Sequence, residues 1–211
     1  MSDIMINYFE QEQARRGIGI PPLPLSEPEV LEVCHLLEFD DNSYQFDLLL
    51  SLLKNRVVPG VSASARVKAD FLNRIATGQI KINGLSPVEA IGMLGTMAGG
   101  YNLDYLINAL GESTLGAPAL ESLKRTILVY DAFDKIHELS LANPLAKDLL
   151  ISWGNAEWFL QREPLADRIR VRIFKVDGEI NTDDFSPAGE AVSRPDIPLH
   201  ALTMGQKRFP G

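Results

Sequence analysis

The sequence predicts a mainly α protein. Residues 1–160 read as a HEAT-like helical solenoid or bundle, and residues 161–211 as a short β-containing segment. Three observations carry this reading. Apolar residues recur at helical spacing through the first 160 positions, with no clear strand among them. Helix-start signals punctuate that stretch at Ser26, Ser86 and Asn143. At Arg168 the apolar period shortens to the alternation of a strand.

Taken in order, residues 3–16 place Ile4, Tyr8 and Phe9 on an amphipathic helix that ends at Gly17, and Pro21-Pro22 then extend the chain. Ser26-Glu27-Pro28-Glu29 is a capping box, opening a helix through Val30, Val33, Cys34 and Leu37. A second helix starts near Ser43, carries Phe46, Leu49, Leu50 and Leu53, and stops at Asn55-Arg56. Ser62 opens a third with Val67, Phe71, Leu72 and Ile75, ended by Gly78. Ser86-Pro87-Val88-Glu89 repeats the capping box with proline at the first helical position, and its helix is expected to reach Gly99-Gly100. Helices over 102–110, 117–129 and 132–141 follow. Asn143-Pro144 then caps one expected to run unbroken through Trp153 and Trp158 to Leu160.

Helices in series joined by short turns suggest stacked antiparallel pairs, a HEAT-like solenoid. No strict sequence period is present, so a plain bundle is the rival arrangement. Beyond residue 160, Ile169, Val171, Ile173 and Val176 alternate with charged residues as a strand would, Asp177-Gly178 is a turn, and loop is expected from Ile180 to about Pro198. That piece is too small to bury a core by itself.

Composition narrows the function classes. Apolar content of 45% and charged content of 23% are ordinary for a globular protein. No window has the run of about 18 apolar residues that a membrane helix needs. The acidic amphipathic N-terminus is unlike a signal peptide, and a single cysteine cannot form an internal disulfide, so a cytoplasmic location is expected. The net charge of −8 resides wholly in residues 1–160. Such a surface repels phosphate backbones and argues against RNA or DNA as a partner for this part.

Few residues point to chemistry. Asp183 and Ser186 lie in the polar stretch Asn181-Thr182-Asp183-Asp184-Phe185-Ser186-Pro187, just after the strand-like run. They either face a ligand or belong to a turn that caps its own backbone, and composition favours the turn. Arg194 precedes a proline and so sits in extended backbone, suited to gripping a carboxylate with two parallel hydrogen bonds. The residues alone favour a surface or structural arginine paired with Asp196 or Glu190. His35, His137 and His200 lack partners at metal-ligand spacing, and Cys34 reads as core, so no metal site and no catalytic residue is assigned. Gly92 and Gly95 read as close helix packing, and the two tryptophans as interdomain packing.

Five stretches carry a resemblance: LLKNRVVPGV, EAIGMLGTMAGGYN, WGNAEWFL, IFKVDGEINTDDFSPA and SRPDIPLHAL. With them the chain resembles the N-terminal part of the bacterial aconitase B family, from the first helices to His200; residues 204–211 depart from the pattern. The resemblance implies a HEAT-like domain over 1–160 and the start of the swivel domain over 161–211. It implies a role in the citrate/isocitrate hydro-lyase of the tricarboxylic acid cycle. Arg194 falls on the family's substrate-carboxylate arginine; the TDD segment is similar to the TDH segment of other aconitases, whose active-site aspartate falls on Asp183, with Ser186 nearby. The full-length family carries a [4Fe–4S] cluster. That cluster needs three cysteine thiolates and this chain has one cysteine, so no cofactor is expected in it and it should not catalyse alone. The alternative is a stand-alone HEAT-like module for protein–protein contacts, including a homodimer.

Overall fold

The computed structural model describes residues 3–18, 22–39, 43–126, 129–160, 165–173, 175, 178–191 and 200–205. Among them are twelve helices: α1 (Asp3–Gly17), α2 (Glu27–Phe39), α3 (Ser43–Asn55), α4 (Ala63–Ala76), α5 (Pro87–Gly95), α6 (Leu103–Ala109), α7 (Gly116–Arg125), α8 (Ala132–Ser140), α9 (Pro144–Gly154), α10 (Glu157–Leu160), α11 (Thr182–Phe185) and α12 (Ala188–Ala191).

The local signals start these helices as the sequence implies. Ser62 Oγ accepts from Ala65 N at 3.1 Å and opens α4. Ser86 and Glu89 close a full capping box on α5, with Pro87 in the first turn. The Ser86 hydroxyl, donating to Glu89 at 2.6 Å, holds that carboxyl below its usual pKa. Asn143 Oδ1 accepts from Leu145 N and Ala146 N, while its Nδ2 donates to the Leu110 carbonyl at 3.0 Å, so one residue caps α9 and ties it to the end of α6.

The helices stack in series. Helix α2 packs on α4, α4 on α5, α5 on α7 and α7 on α9, with α3, α6 and α8 beside α2, α7 and α9 respectively. Of the apolar positions predicted from spacing, Val30, Val33 and Leu37 of α2 and Phe71, Leu72 and Ile75 of α4 face inward, and they share one continuous core with Ala65 and Ala69 of α4, Ile91 and Leu94 of α5, Ala119 and Leu123 of α7, and Ala146 and Leu149 of α9. Burying each large aliphatic side chain contributes roughly 1.5–3 kcal/mol. Between α3 and α4 the chain approaches the α5–α6 turn so closely that Gly60 and Gly100 pair backbone to backbone. Both have φ near +90° (86° and 90°), and a Cβ on Gly100 would stand 2.7 Å from the Gly60 carbonyl carbon, so only glycine fits.

Three expectations are corrected, and a fourth is not confirmed. Helix α5 stops at Gly95, well before Gly99-Gly100, because Asn102 sends its amide back to the Leu94 carbonyl at 2.8 Å and seals that end. Helix α7 ends at Arg125, where Thr126 turns extended. The last long helix is broken after Gly154 by Ala156, whose φ is +50°, so Trp158 belongs to the separate turn α10. The β segment is not paired: no strand partner for residues 165–173 is found among the described residues, and Ile169, Val171 and Ile173 are 63%, 69% and 87% exposed. Alternation makes a strand only where a neighbour supplies the other half of the ladder.

Among the described residues, no helix is long and apolar enough to cross a membrane.

Candidate functional site

The polar stretch after residue 178, expected to be loop, folds into two short helices. Asn181 Oδ1 accepts from Asp184 N at 3.0 Å, and the Asp184 carboxylate accepts from Asn181 N at 3.1 Å. This reciprocal cap starts α11, and it accounts for the burial of Asp184. The self-capping turn therefore exists, and it is made by Asn181 and Asp184.

Asp183, one residue earlier, is left out of the cap. Its side chain is exposed, with no hydrogen bond or ion pair to it among the described residues. Ser186 closes α11, its N–H donating to Thr182 O at 2.8 Å, and its hydroxyl lies 2.7 Å from His200 Nε2. His200 in turn heads a tight turn. Both the hydroxyl and the N–H of Thr203 donate to the His200 carbonyl, and Gly205 N donates to Phe185 O at 3.0 Å. Of the predicted pair, Asp183 thus lies within α11 and Ser186 caps its C-terminal end. Arg194, the third predicted residue, lies outside the described residues.

Chemically, the group offers an exposed carboxylate beside a hydroxyl held by an imidazole. His200 Nδ1 is buried and has no hydrogen-bond partner among the described residues. Sequence reasoning set His200 aside because it sought metal-ligand partners; the serine that engages it is 14 positions away, and no local pattern marks such a pair.

The segment is anchored to the helical body at Arg56. Its Nη1 donates to Glu190 Oε2 of α12 at 2.7 Å, with 8% and 13% of the two side chains exposed. Nη2 donates to the Pro22 carbonyl, and the backbone carbonyl of Arg56 accepts from Leu25 N at 2.7 Å. The buried Tyr8 hydroxyl faces the same guanidinium: burial raises its pKa and Arg56 opposes the rise.

A second buried polar pair lies between α2 and α4. Lys68 is 3% exposed, donates to the Lys54 carbonyl at 3.2 Å, and is pushed down to about 8 by burial. The Cys34 thiol is pushed up to about 12 by burial, against the pull of Lys68 and Arg74. A protonated thiol is a poor metal ligand. Among the described residues no three His, Cys, Asp or Glu side chains gather as a metal site.

The comparisons with known proteins bear on both halves of the chain. The family model described as "Aconitate B N-terminal domain" matches residues 7–159, and the one described as "Aconitate hydratase 2 N-terminus" matches residues 171–211. The second match runs to the last residue, so residues 204–211, set apart above, belong with the pattern after all. Among curated relatives, "Aconitate hydratase B" of Helicobacter pylori is 44% identical over 211 residues, 99% of this chain and 24% of the relative. That of Escherichia coli is 46% identical over 202 residues, 95% of this chain and 23% of the relative. That of Synechocystis is 43% identical over 209 residues, 98% of this chain and 24% of the relative. The chain thus spans about a quarter of the length of these relatives. With most of its residues inside one family match, and the flanking match naming the same enzyme, the chain belongs to the aconitate hydratase B family, in the region that family places at its N-terminus.

Proposed function

We propose that this chain serves as the N-terminal region of a B-type aconitate hydratase, the lyase that interconverts citrate and isocitrate through cis-aconitate in the tricarboxylic acid cycle. The observation that carries the reading is the identity of 44% and 46% to aconitate hydratases B across nearly the whole chain. In this reading residues 1–160 are the HEAT-like body and residues 161–211 the opening of the swivel domain. Arg194 clamps a substrate carboxylate through a bidentate pair. Asp183 and Ser186 stand beside it as hydrogen-bonding groups, and the exposure of the Asp183 carboxylate supports that role. The location is cytoplasmic.

The family's [4Fe–4S] cluster does not fit the residues of this chain. It requires three thiolates, whereas the single cysteine is buried in the helical core with its thiol held protonated. No catalytic step is assigned to these residues. They contribute one wall of a tricarboxylate site whose reacting groups come from elsewhere in the enzyme. The test is to incubate the 211-residue chain with citrate and iron–sulfur reconstitution reagents and follow cis-aconitate absorbance. No turnover is expected; turnover overturns the division of labour.

A second reading, a protein–protein interaction module that includes homodimer contacts, is favoured by the exposed run Trp158, Phe159 and Leu160 at the end of the stacked helices. Sedimentation of the chain distinguishes it: a concentration-dependent dimer that Phe159→Asp dissolves supports the module.

A further inference from the structure

The guanidinium of Arg56 is the one place, among the described residues, where a buried ion pair joins the stacked helices to the segment carrying Asp183 and Ser186. The two partners are 134 positions apart. Arg56 sits just past the C-terminal end of α3, with its N–H bonded to Leu52 O at 2.8 Å, so its backbone is fixed by the helix it follows. From there its side chain reaches the Pro22 carbonyl on one side and the Glu190 carboxylate on the other, and Nε is buried with no partner among the described residues. Tyr8 of α1 completes the wall. Two consecutive pieces of chain, α1 and the proline stretch that follows it, therefore meet the distant α12 on one cation.

A buried ion pair is weak evidence of net stability, since desolvation opposes the Coulombic gain. What such a pair does well is specify one arrangement, because only one placement of the carboxylate satisfies the charge. Helices α11 and α12 are each four residues long, and Asp184 is the one residue of either that is fully buried. Helices this short do not hold themselves.

We infer that Arg56 and Glu190 form a latch that sets where segment 181–191 sits on the helical body, making Arg56 a positioning residue for the segment. The consequence for a carboxylate site rests on the reading in the preceding subsection; the latch does not. Removing Glu190 frees α11 and α12 to leave the body without emptying the helical core, because Glu190 belongs to neither the core cluster nor a long helix.

The test is amide hydrogen exchange on the 211-residue chain, resolved by peptide and run without any ligand. Glu190→Ala is expected to speed exchange over 182–191 by roughly tenfold or more while α5, α7 and α9 keep their parent rates. Arg56→Met is expected to do the same, and Arg56→Lys, which keeps a cation within reach of Glu190, to restore much of the protection. Unchanged exchange over 182–191 in Glu190→Ala overturns the latch, as does a rise shared equally with α5 and α9. A failure of Arg56→Lys to differ from Arg56→Met assigns the effect to packing and also overturns it. No outcome depends on citrate, so failure of the latch and failure of the tricarboxylate reading are separate results.

Discussion

Ser186 Oγ lies 2.7 Å from His200 Nε2, joining the end of α11 to a turn 14 residues further along the chain. Ser186, one of the residues the resemblance places at a substrate site, is thereby held by a side chain that no local sequence pattern marks. Cutting the tie by His200→Ala removes one partly buried hydrogen bond, a loss of about 1 kcal/mol. The expected result is faster exchange of the Gly205 amide, which depends on Phe185 O in the same fold-back. The exchange of α4 and α5 should not change, and peptide-resolved exchange measures both.

Two glycines of α5 separate packing from helix propensity. A Cβ on Gly95 would stand 2.6 Å from Ser122 Cβ of α7, whereas one on Gly92 would meet nothing within 4 Å. Gly95→Ala is expected to destabilise by about 1–3 kcal/mol through overpacking. Gly92→Ala is expected to stabilise by up to about 1 kcal/mol, since alanine costs less backbone entropy in a helix. Urea unfolding of both variants checks the signs, and Ser122→Gly should relieve the first.

Stability should depend on pH in two opposed steps. The folded pKa of Lys68 is depressed from 10.5 to about 8, so folding expels a proton: the fold is penalised below pH 8 and relieved as pH rises toward 10.5. The folded pKa of Cys34 is raised from 9.0 to about 12, so its contribution is fully present below pH 9 and lost as pH rises toward 12. The unfolding free energy should rise by about 1 kcal/mol between pH 7.5 and 9 and fall above pH 10.5. Lys68→Met should flatten the rise and Cys34→Ala the fall, in denaturant titrations across that range.

The legible parts of this fold are those whose cause is local. Ser86, Pro87 and Glu89 announce α5 because cap, proline and reciprocal carboxylate act within four residues. The inward stripes of α2, α4 and α7 are legible because one helical face must be apolar. The break at Ala156 was not legible, since alanine has no preference for a positive φ and the neighbouring turns impose it. The box formed by Asn181 and Asp184 was within reach of the same rule that found Ser86, but it precedes no apolar run, and the stretch read as loop. The strand reading is not confirmed for a different reason: a ladder needs a second strand, and none pairs with residues 169–173 among the described residues.

The candidate site divides the same way. Asp183 and Ser186 are near neighbours in the sequence and both belong to the α11 turn, while the contacts around that turn, Arg56 to Glu190 and Ser186 to His200, join residues 134 and 14 positions apart. Tertiary pairs of this kind leave no periodic or adjacent signal in one sequence.

The central claim, that residues near the end of this chain form one wall of a tricarboxylate site, is tested most directly at Arg194. This chain should replace the matching first quarter of the Escherichia coli aconitate hydratase B, and the chimera's kcat/KM for citrate should be measured with Arg194 intact and as Arg194→Gln. The account predicts an active parent chimera and a loss on the order of a hundredfold in the variant, as when one partner of a buried, hydrogen-bonded charge pair is cut away. An Arg194→Gln chimera as active as its parent would contradict it.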